Sequence, residues 1–176
     1  MGVINQPFHH KDQDGSRWRG QCFWGVSCDG LNLCSLPKPK PGPGPDLSVV
    51  LSSSEKPSVK DALSRVCCPD KLMFASGAGF KILCVIQGLA DVYVLSEGST
   101  FKWDSCSPHA LLRAMGGGVV DLREALESGL TRAELTYHRA NSGVTGADCW
   151  ANAGGLVAYR DKAQLSKVIE ALRGKI

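Results

Sequence analysis

No Cys-x-x-Cys pair occurs among the eight cysteines: Cys22, Cys28 and Cys34 are six apart, and Cys67 and Cys68 are adjacent. That spacing excludes a tetrahedral zinc centre of the common kind. No apolar run approaches the roughly 20 residues that a membrane-spanning helix needs. The first residues carry no basic-then-apolar leader, which points to the cytosol. In that compartment the cysteines are expected as small buried hydrophobes, not disulfides. Excess charge is missing too, since 20 Lys and Arg against 17 Asp and Glu leave a formal net charge of +3. The basic residues are scattered, which argues against nucleic acid and a membrane surface as partners and allows at most a local basic pocket for an anionic ligand. What is present, 176 residues of which 43% are hydrophobic and 21% charged, suffices for one ordinary domain over 1–176 with a real core.

Strand-like and helix-like segments alternate without internal repeats, an α/β pattern. Val3-Ile4 and Arg17–Cys28 read as strands joined in a hairpin across Asp14-Gly15, with Trp18, Cys22, Trp24 and Val26 on one face by parity. The run Pro37–Pro45, within an exposed Pro/Gly/Lys loop over 36–46, cannot enter a sheet or helix. Strands are expected at Leu47–Ser52, Leu72–Ala75, Val92–Leu95, Gly118–Leu122 and Leu156–Tyr159. Helices are expected at Pro57–Val66, Ala78–Gln87, Ser105–Met115 and Lys162–Leu172, with residues 123–150 irregular or partly helical. His9, His10, His109 and His138 read as solvated or core-edge residues, and Asp91, Glu97 and Asp148 as solvated acids at loops or strand ends.

Three stretches have the makings of an anion pocket. Ser76-Gly77-Ala78-Gly79 leads small residues into a helix, where backbone N–H groups and the positive helix end favour a phosphate, and Lys81 adds charge. Ser54-Glu55-Lys56 stands at the carboxyl end of a strand just before Pro57, where ligands collect in open α/β sheets. Ser99-Thr100 offers hydroxyls a few residues before Asp104. Asp104 stands near the start of a helix, where a carboxylate either caps free backbone N–H groups or holds a hard cation across a cleft.

Trp103-Asp104-Ser105-Cys106 followed by Ala114-Met115-Gly116-Gly117-Gly118 resembles the C-terminal signature of the magnesium-dependent, lithium-sensitive phosphomonoesterases that include inositol monophosphatase. The resemblance continues through Met1–Phe8, Arg17–Gly25, Ser52–Cys67, Gly77–Gly88 and Trp150–Arg160. It implies part of an αβαβα sandwich, a Mg2+ cofactor with Li+ inhibition, and a metal-ligand role for Asp104. It further implies substrate-binding roles for Ser54, Lys56, Gly77, Ala78, Lys81 and Ser99, the last with serine where the family has threonine. The lysines suit the branch that removes the 1-phosphate from inositol polyphosphates such as inositol 1,4-bisphosphate, as a monomer when full length. The 3'(2'),5'-bisphosphate nucleotidase branch and a non-catalytic inositol-phosphate-binding fragment are the alternatives.

One aspartate does not make such a site. Metal-assisted hydrolysis of a phosphomonoester needs several carboxylates to bridge cations. In the family these come from a paired-glutamate segment and an Asp-Pro-Ile-Asp-Ser-Thr-like segment, neither of which occurs here. The chain is therefore expected to be a truncated form, inactive alone, with no complete set of catalytic residues.

Overall fold

The computed structural model describes residues 1–37 and 47–176, so the Pro37–Pro45 loop lies, apart from Pro37, outside the described residues. Strands β1 (Gly2–Lys11), β2 (Trp18–Cys28) and β3 (Leu31–Cys34) form an antiparallel sheet in the order β1-β2-β3. Five further strands, β4 (Leu47–Leu51), β5 (Cys67–Phe74), β6 (Val92–Leu95), β7 (Gly118–Asp121) and β8 (Leu156–Tyr159), form a mixed sheet in the order β5-β4-β6-β8-β7. Its central members are short apolar runs, β6 reading Val-Tyr-Val-Leu and β8 Leu-Val-Ala-Tyr, buried at every position. Such runs suit strands covered on both faces.

Helices α1 (Pro57–Ser64), α2 (Ala78–Gln87), α3 (Lys102–Ala114), α4 (Leu122–Glu127) and α5 (Lys162–Leu172) provide that cover. On one face, Val49, Val92 and Val157 meet Leu63 of α1 and Val168 of α5. On the other, Val50, Tyr93 and Ala158 meet Ile82 of α2 and Leu112 of α3. α3 then packs its far side on the three-stranded sheet, where Gly25 approaches so closely that a Cβ would stand 2.8 Å from the Leu111 Cα. The described layers are therefore helix, sheet, helix, sheet, a mixed α/β architecture.

The anticipated hairpin is present, and the parity that joins Cys22, Trp24 and Val26 defines its face away from α3. Phe23 is buried against α3, whereas Trp24 is 41% exposed on the opposite side. β3 was not anticipated, because four residues are too few to show alternation. β5 begins five residues before Leu72, recruited by parallel pairing with β4. α3 begins three residues before Ser105, and α4 occupies part of 123–150. No helix among the described residues is long and apolar enough to cross a membrane.

Two expectations are corrected. Cys67 and Cys84 are buried, but Cys22, Cys28 and Cys106 are exposed, because the β2 cysteines fall on the uncovered face of their sheet. Asp91 is not solvated. Its carboxylate accepts the Ser48 hydroxyl at 2.7 Å and backbone N–H at 2.9 Å and pairs with Arg160, tying β4 to the end of β8. Burial pushes its pKa up, yet the Ser48 and Arg160 contacts outweigh burial and hold it below the ordinary carboxylate value. A depressed carboxylate stabilises above the unfolded-state pKa and loses that contribution as pH falls through the folded one. Asp91→Asn is expected to cost about 3 kcal/mol at neutral pH in urea unfolding, and the penalty shrinks in acid.

His109 takes the core-edge role, 2% exposed, its Nδ1 2.8 Å from the Tyr137 hydroxyl and its Nε2 3.4 Å from Glu134. Burial, against the pull of Glu134 and with the push of Arg113, takes its pKa down from 6.5 to about 4. The unfolded chain then takes up this proton first as pH falls, so the residue costs stability from about pH 6.5 downward, with the full penalty below about pH 4. His109→Gln should lose less stability across that interval, as read from denaturant midpoints at a series of pH values.

Candidate functional site

β4 runs parallel to both β5 and β6, so the carboxyl ends of all three meet at one sheet edge, the place where open α/β sheets collect ligands. Each end delivers one of the three stretches singled out in the sequence. After β4 come Ser52–Lys56 and α1, after β5 come Ala75–Gly77 and α2, and after β6 come Ser96–Phe101 and α3.

Ser54, Ala78, Lys81 and Ser99 line a single cleft of about 330 Å3 at that edge, together with Glu55, Tyr93, Glu97 and Thr100. Two roomier hollows, about 700 and 620 Å3, border the same edge, but of the anticipated residues only Lys56 lines either of them. The smaller cleft is the one that the side-chain chemistry selects.

Lys56, Gly77 and Asp104 adjoin the cleft without lining it. Lys56 Nζ stands 2.9 Å from Oε1 of Glu97, a lining residue. Gly77, with φ +80°, is the N-cap of α2 immediately before Ala78. The Asp104 backbone oxygen lies 3.9 Å from where a Cβ on Gly79 would stand, so the first turns of α2 and α3 abut. Pro108, four residues on, removes the helical donor to that carbonyl.

The Asp104 side chain is divided in its use. Oδ2 accepts the Phe101 N–H at 2.8 Å, the reciprocal half of a capping box, while among the described residues no donor reaches Oδ1. Its position is the third residue of the helix, not the cap itself, because Lys102 and Trp103 already belong to α3.

The glycine triplet after α3 has a packing cause. A Cβ on Gly117 would stand 2.2 Å from the Tyr159 carbonyl oxygen, and one on Gly118 would press on the Tyr159 ring. These glycines let β7 close onto β8.

Electrostatics single out Lys81. It is 4% exposed, donates to the Ala75 carbonyl at 3.2 Å and sits 5.1 Å from the centre of the Tyr93 ring. Burial lowers its pKa, with Cys84 and Glu55 acting in the opposite direction. An anion in the cleft would favour the charged form. The starts of α1 and α2 carry no acid in the first turn and no side-chain cap, leaving two positive helix ends at this edge.

Glu55, Tyr93 and Asn152 were missed as site residues. Glu55 is 4% exposed, accepting the Ser96 N–H at 3.0 Å, the Ser96 hydroxyl, and the Lys56 N–H at 2.9 Å. It ties the loop after β4 to the loop after β6; an acid between Ser and Lys-Pro, four residues beyond the apolar run Leu47–Leu51, was the available signal. Tyr93 is fully buried with no hydrogen-bond partner for its hydroxyl among the described residues, and burial, then Glu55 and Asp104, push that phenol up. Asn152 donates to the Thr100 hydroxyl at 3.1 Å and the Phe101 carbonyl at 3.0 Å, bracing the loop that leads into α3. Nothing local in Trp-Ala-Asn-Ala marks it.

Among the described residues no three His, Cys, Asp or Glu side chains come together to hold a metal ion. With one Asp104 oxygen committed to a backbone N–H, the donors present do not complete a divalent-cation site.

The profile described as the Inositol monophosphatase family matches residues 1–165. Inositol polyphosphate 1-phosphatase of Homo sapiens is 48% identical over 98% of this chain and 48% of its own length, and that of Bos taurus is 49% identical over 98% and 48%. A 3'(2'),5'-bisphosphate nucleotidase of Dictyostelium discoideum is 36% identical over 68% of the chain and 40% of its own length. The chain thus spans about half the length of the curated relatives it matches. Among solved structures, an inositol monophosphatase from Anabaena superposes with a TM-score of 0.56 at 15% identity over 86% of this chain and 53% of the other. A Staphylococcal IMPase - I superposes at 0.55 and 10% identity over 81% and 46%. At those identities the likeness is one of fold.

Removing the Glu55 carboxylate leaves two backbone N–H groups at the sheet edge without acceptors. Glu55→Ala is expected to cost at least about 2 kcal/mol in urea unfolding and to raise amide exchange at Lys56 and Ser96.

Proposed function

The chain belongs to the inositol monophosphatase family, and on that premise we propose that it forms the substrate seat of a cytoplasmic, magnesium-dependent, lithium-inhibited phosphatase. The substrate class is inositol polyphosphates, cleaved at the 1-phosphate, with inositol 1,4-bisphosphate as the representative. The observation that carries this reading is the convergence of Ser54, Ala78, Lys81 and Ser99 on one cleft from the ends of three parallel strands. The whole of residues 1–176 would act as one domain.

The residues divide the work by chemistry. Lys81, buried and short of acceptors, is the cation that a phosphate would neutralise; Lys56, already at Glu97, is a second positive charge at the cleft edge. A substrate with more than one phosphate needs such charge beyond what metal ions bring. The backbone at Gly77 and Ala78 opens α2 without an acidic cap and can donate N–H groups to phosphate oxygens. Hydroxyls of Ser54 and Ser99 orient the remaining oxygens. Asp104, through Oδ1, would contribute one ligand to one magnesium ion.

Magnesium in a complete ligand set would neutralise the leaving oxygen and lower the pKa of water. This chain offers too few carboxylates for that set, so alone it binds and orients but releases no phosphate. The preference for inositol polyphosphates over nucleoside bisphosphates rests on the higher identity and fuller coverage of the first group of relatives.

Calorimetry and phosphate release on the purified chain test this together. Inositol 1,4-bisphosphate should bind saturably, more tightly than adenosine 3',5'-bisphosphate, with no phosphate released in magnesium. Lys81→Met should weaken binding at least tenfold while leaving stability equal or higher, since it replaces a buried charge with an apolar chain of similar length. Sustained turnover by the chain alone, or unchanged binding by Lys81→Met, would overturn the assignment.

A further inference from the structure

The core between the mixed sheet and helices α2 and α3 is largely aliphatic, with Val50, Ile82, Leu112 and Leu156 among its members. Tyr93 of β6 joins that layer, paired with Val50 on one flanking strand and Ala158 on the other. A phenylalanine would fill the same space. A hydroxyl buried there costs about 1–3 kcal/mol unless it is hydrogen-bonded, and among the described residues the Tyr93 hydroxyl has no such partner. Tyr137, buried elsewhere, shows the usual arrangement, its hydroxyl 2.8 Å from Nδ1 of His109. What sets Tyr93 apart is its place, since it lines the cleft with Ala78, Lys81, Ser99 and Thr100.

We propose that the Tyr93 hydroxyl donates a hydrogen bond to an oxygen of the oxyanion seated in this cleft, a phosphate on the reading given above, on which the assignment rests. Neighbouring acids are committed to other donors. The Glu55 oxygens take the Ser96 N–H and hydroxyl and the Lys56 N–H, and Asp104 Oδ2 takes the Phe101 N–H. Burial, reinforced by Glu55 and Asp104, keeps the phenol protonated, so at neutral pH it is a donor. Lys81 Nζ lies 5.1 Å from the centre of the same ring, and an anion drawn to that ammonium is brought beside the ring that carries the hydroxyl. The two groups supply different things. An ammonium on a flexible stem gives charge with little direction, whereas a phenol packed in the core gives one donor of fixed position. Shielding from bulk water strengthens a hydrogen bond from that donor to a charged oxygen.

Calorimetry on the full chain with inorganic phosphate and with inositol 1,4-bisphosphate tests the assignment. Tyr93→Phe should weaken binding of both probes at least about tenfold, while urea unfolding shows stability equal to or above that of the parent chain, because an unmet hydroxyl has been removed. Tyr137→Phe should do the reverse, losing stability with its His109 contact and leaving both affinities unchanged. A second measurement needs no change at Tyr93. With the tyrosines isotope-labelled at the ring carbon that bears the hydroxyl, and the signals of Tyr137 and Tyr159 assigned through their Phe variants, saturating phosphate should move the remaining signal, that of Tyr93. Should Tyr93→Phe fail to fold, this signal alone decides. Equal affinity of parent and Tyr93→Phe for both probes, or a Tyr93 signal that phosphate leaves in place, would defeat the assignment while the parent's own binding of inositol 1,4-bisphosphate keeps the substrate reading. Phosphate bound through Tyr93 with no binding of inositol 1,4-bisphosphate upholds the hydroxyl's role and sinks the substrate reading. Binding of neither probe by the parent chain sinks both.

Discussion

Helix α3 is held between two sheets, and its placement decides most of what surrounds it. Leu112 enters the core against the mixed sheet, and Leu111 lies so close to Gly25 that a side chain on the strand has no room. A helix pinned on both sides cannot shift by a fraction of a turn without opening cavities or clashes, because interiors are packed at crystal density. Its first turn, with Asp104, is thereby fixed beside the first turn of α2. The same packing sets Tyr93 and Lys81 under that junction. The glycines after the helix serve this placement, since they let the chain turn straight back into β7.

Within that frame the sheet edge is polar for reasons of both stability and chemistry. Glu55 is buried with three donors, a satisfied arrangement that locks two strand ends together. Lys81 is buried with one carbonyl acceptor and an aromatic face, an arrangement left open. The contrast separates a carboxylate whose oxygens are used in holding the fold from an ammonium with donors to spare among the described residues. Asp91 and Arg160 belong with the first kind, far along the same strands from the cleft.

Two features of the described residues stand out, an apolar sheet face that no described helix covers and a cleft with few carboxylates. A sheet with apolar residues outward and a cleft with cations but few metal donors are each incomplete by the usual physics of burial and of charge.

Order and type of most elements were determined by the sequence itself. Ala78–Gln87, Val92–Leu95, Leu156–Tyr159 and Lys162–Leu172 stand where periodicity places them, because long apolar patterns dominate local choice. The three candidate stretches were visible as well, since glycine, lysine and hydroxyl residues at element ends carry their chemistry in their types. Tertiary structure alone decided the rest. Pairing order brought the three stretches to one edge, and packing determined that Asp91 and Glu55 are buried while Cys22 is exposed. It also turned the Trp24 face of the hairpin outward. Alternation states only that a strand has two faces; which one is covered depends on what the rest of the chain lays against it, and that information is not local.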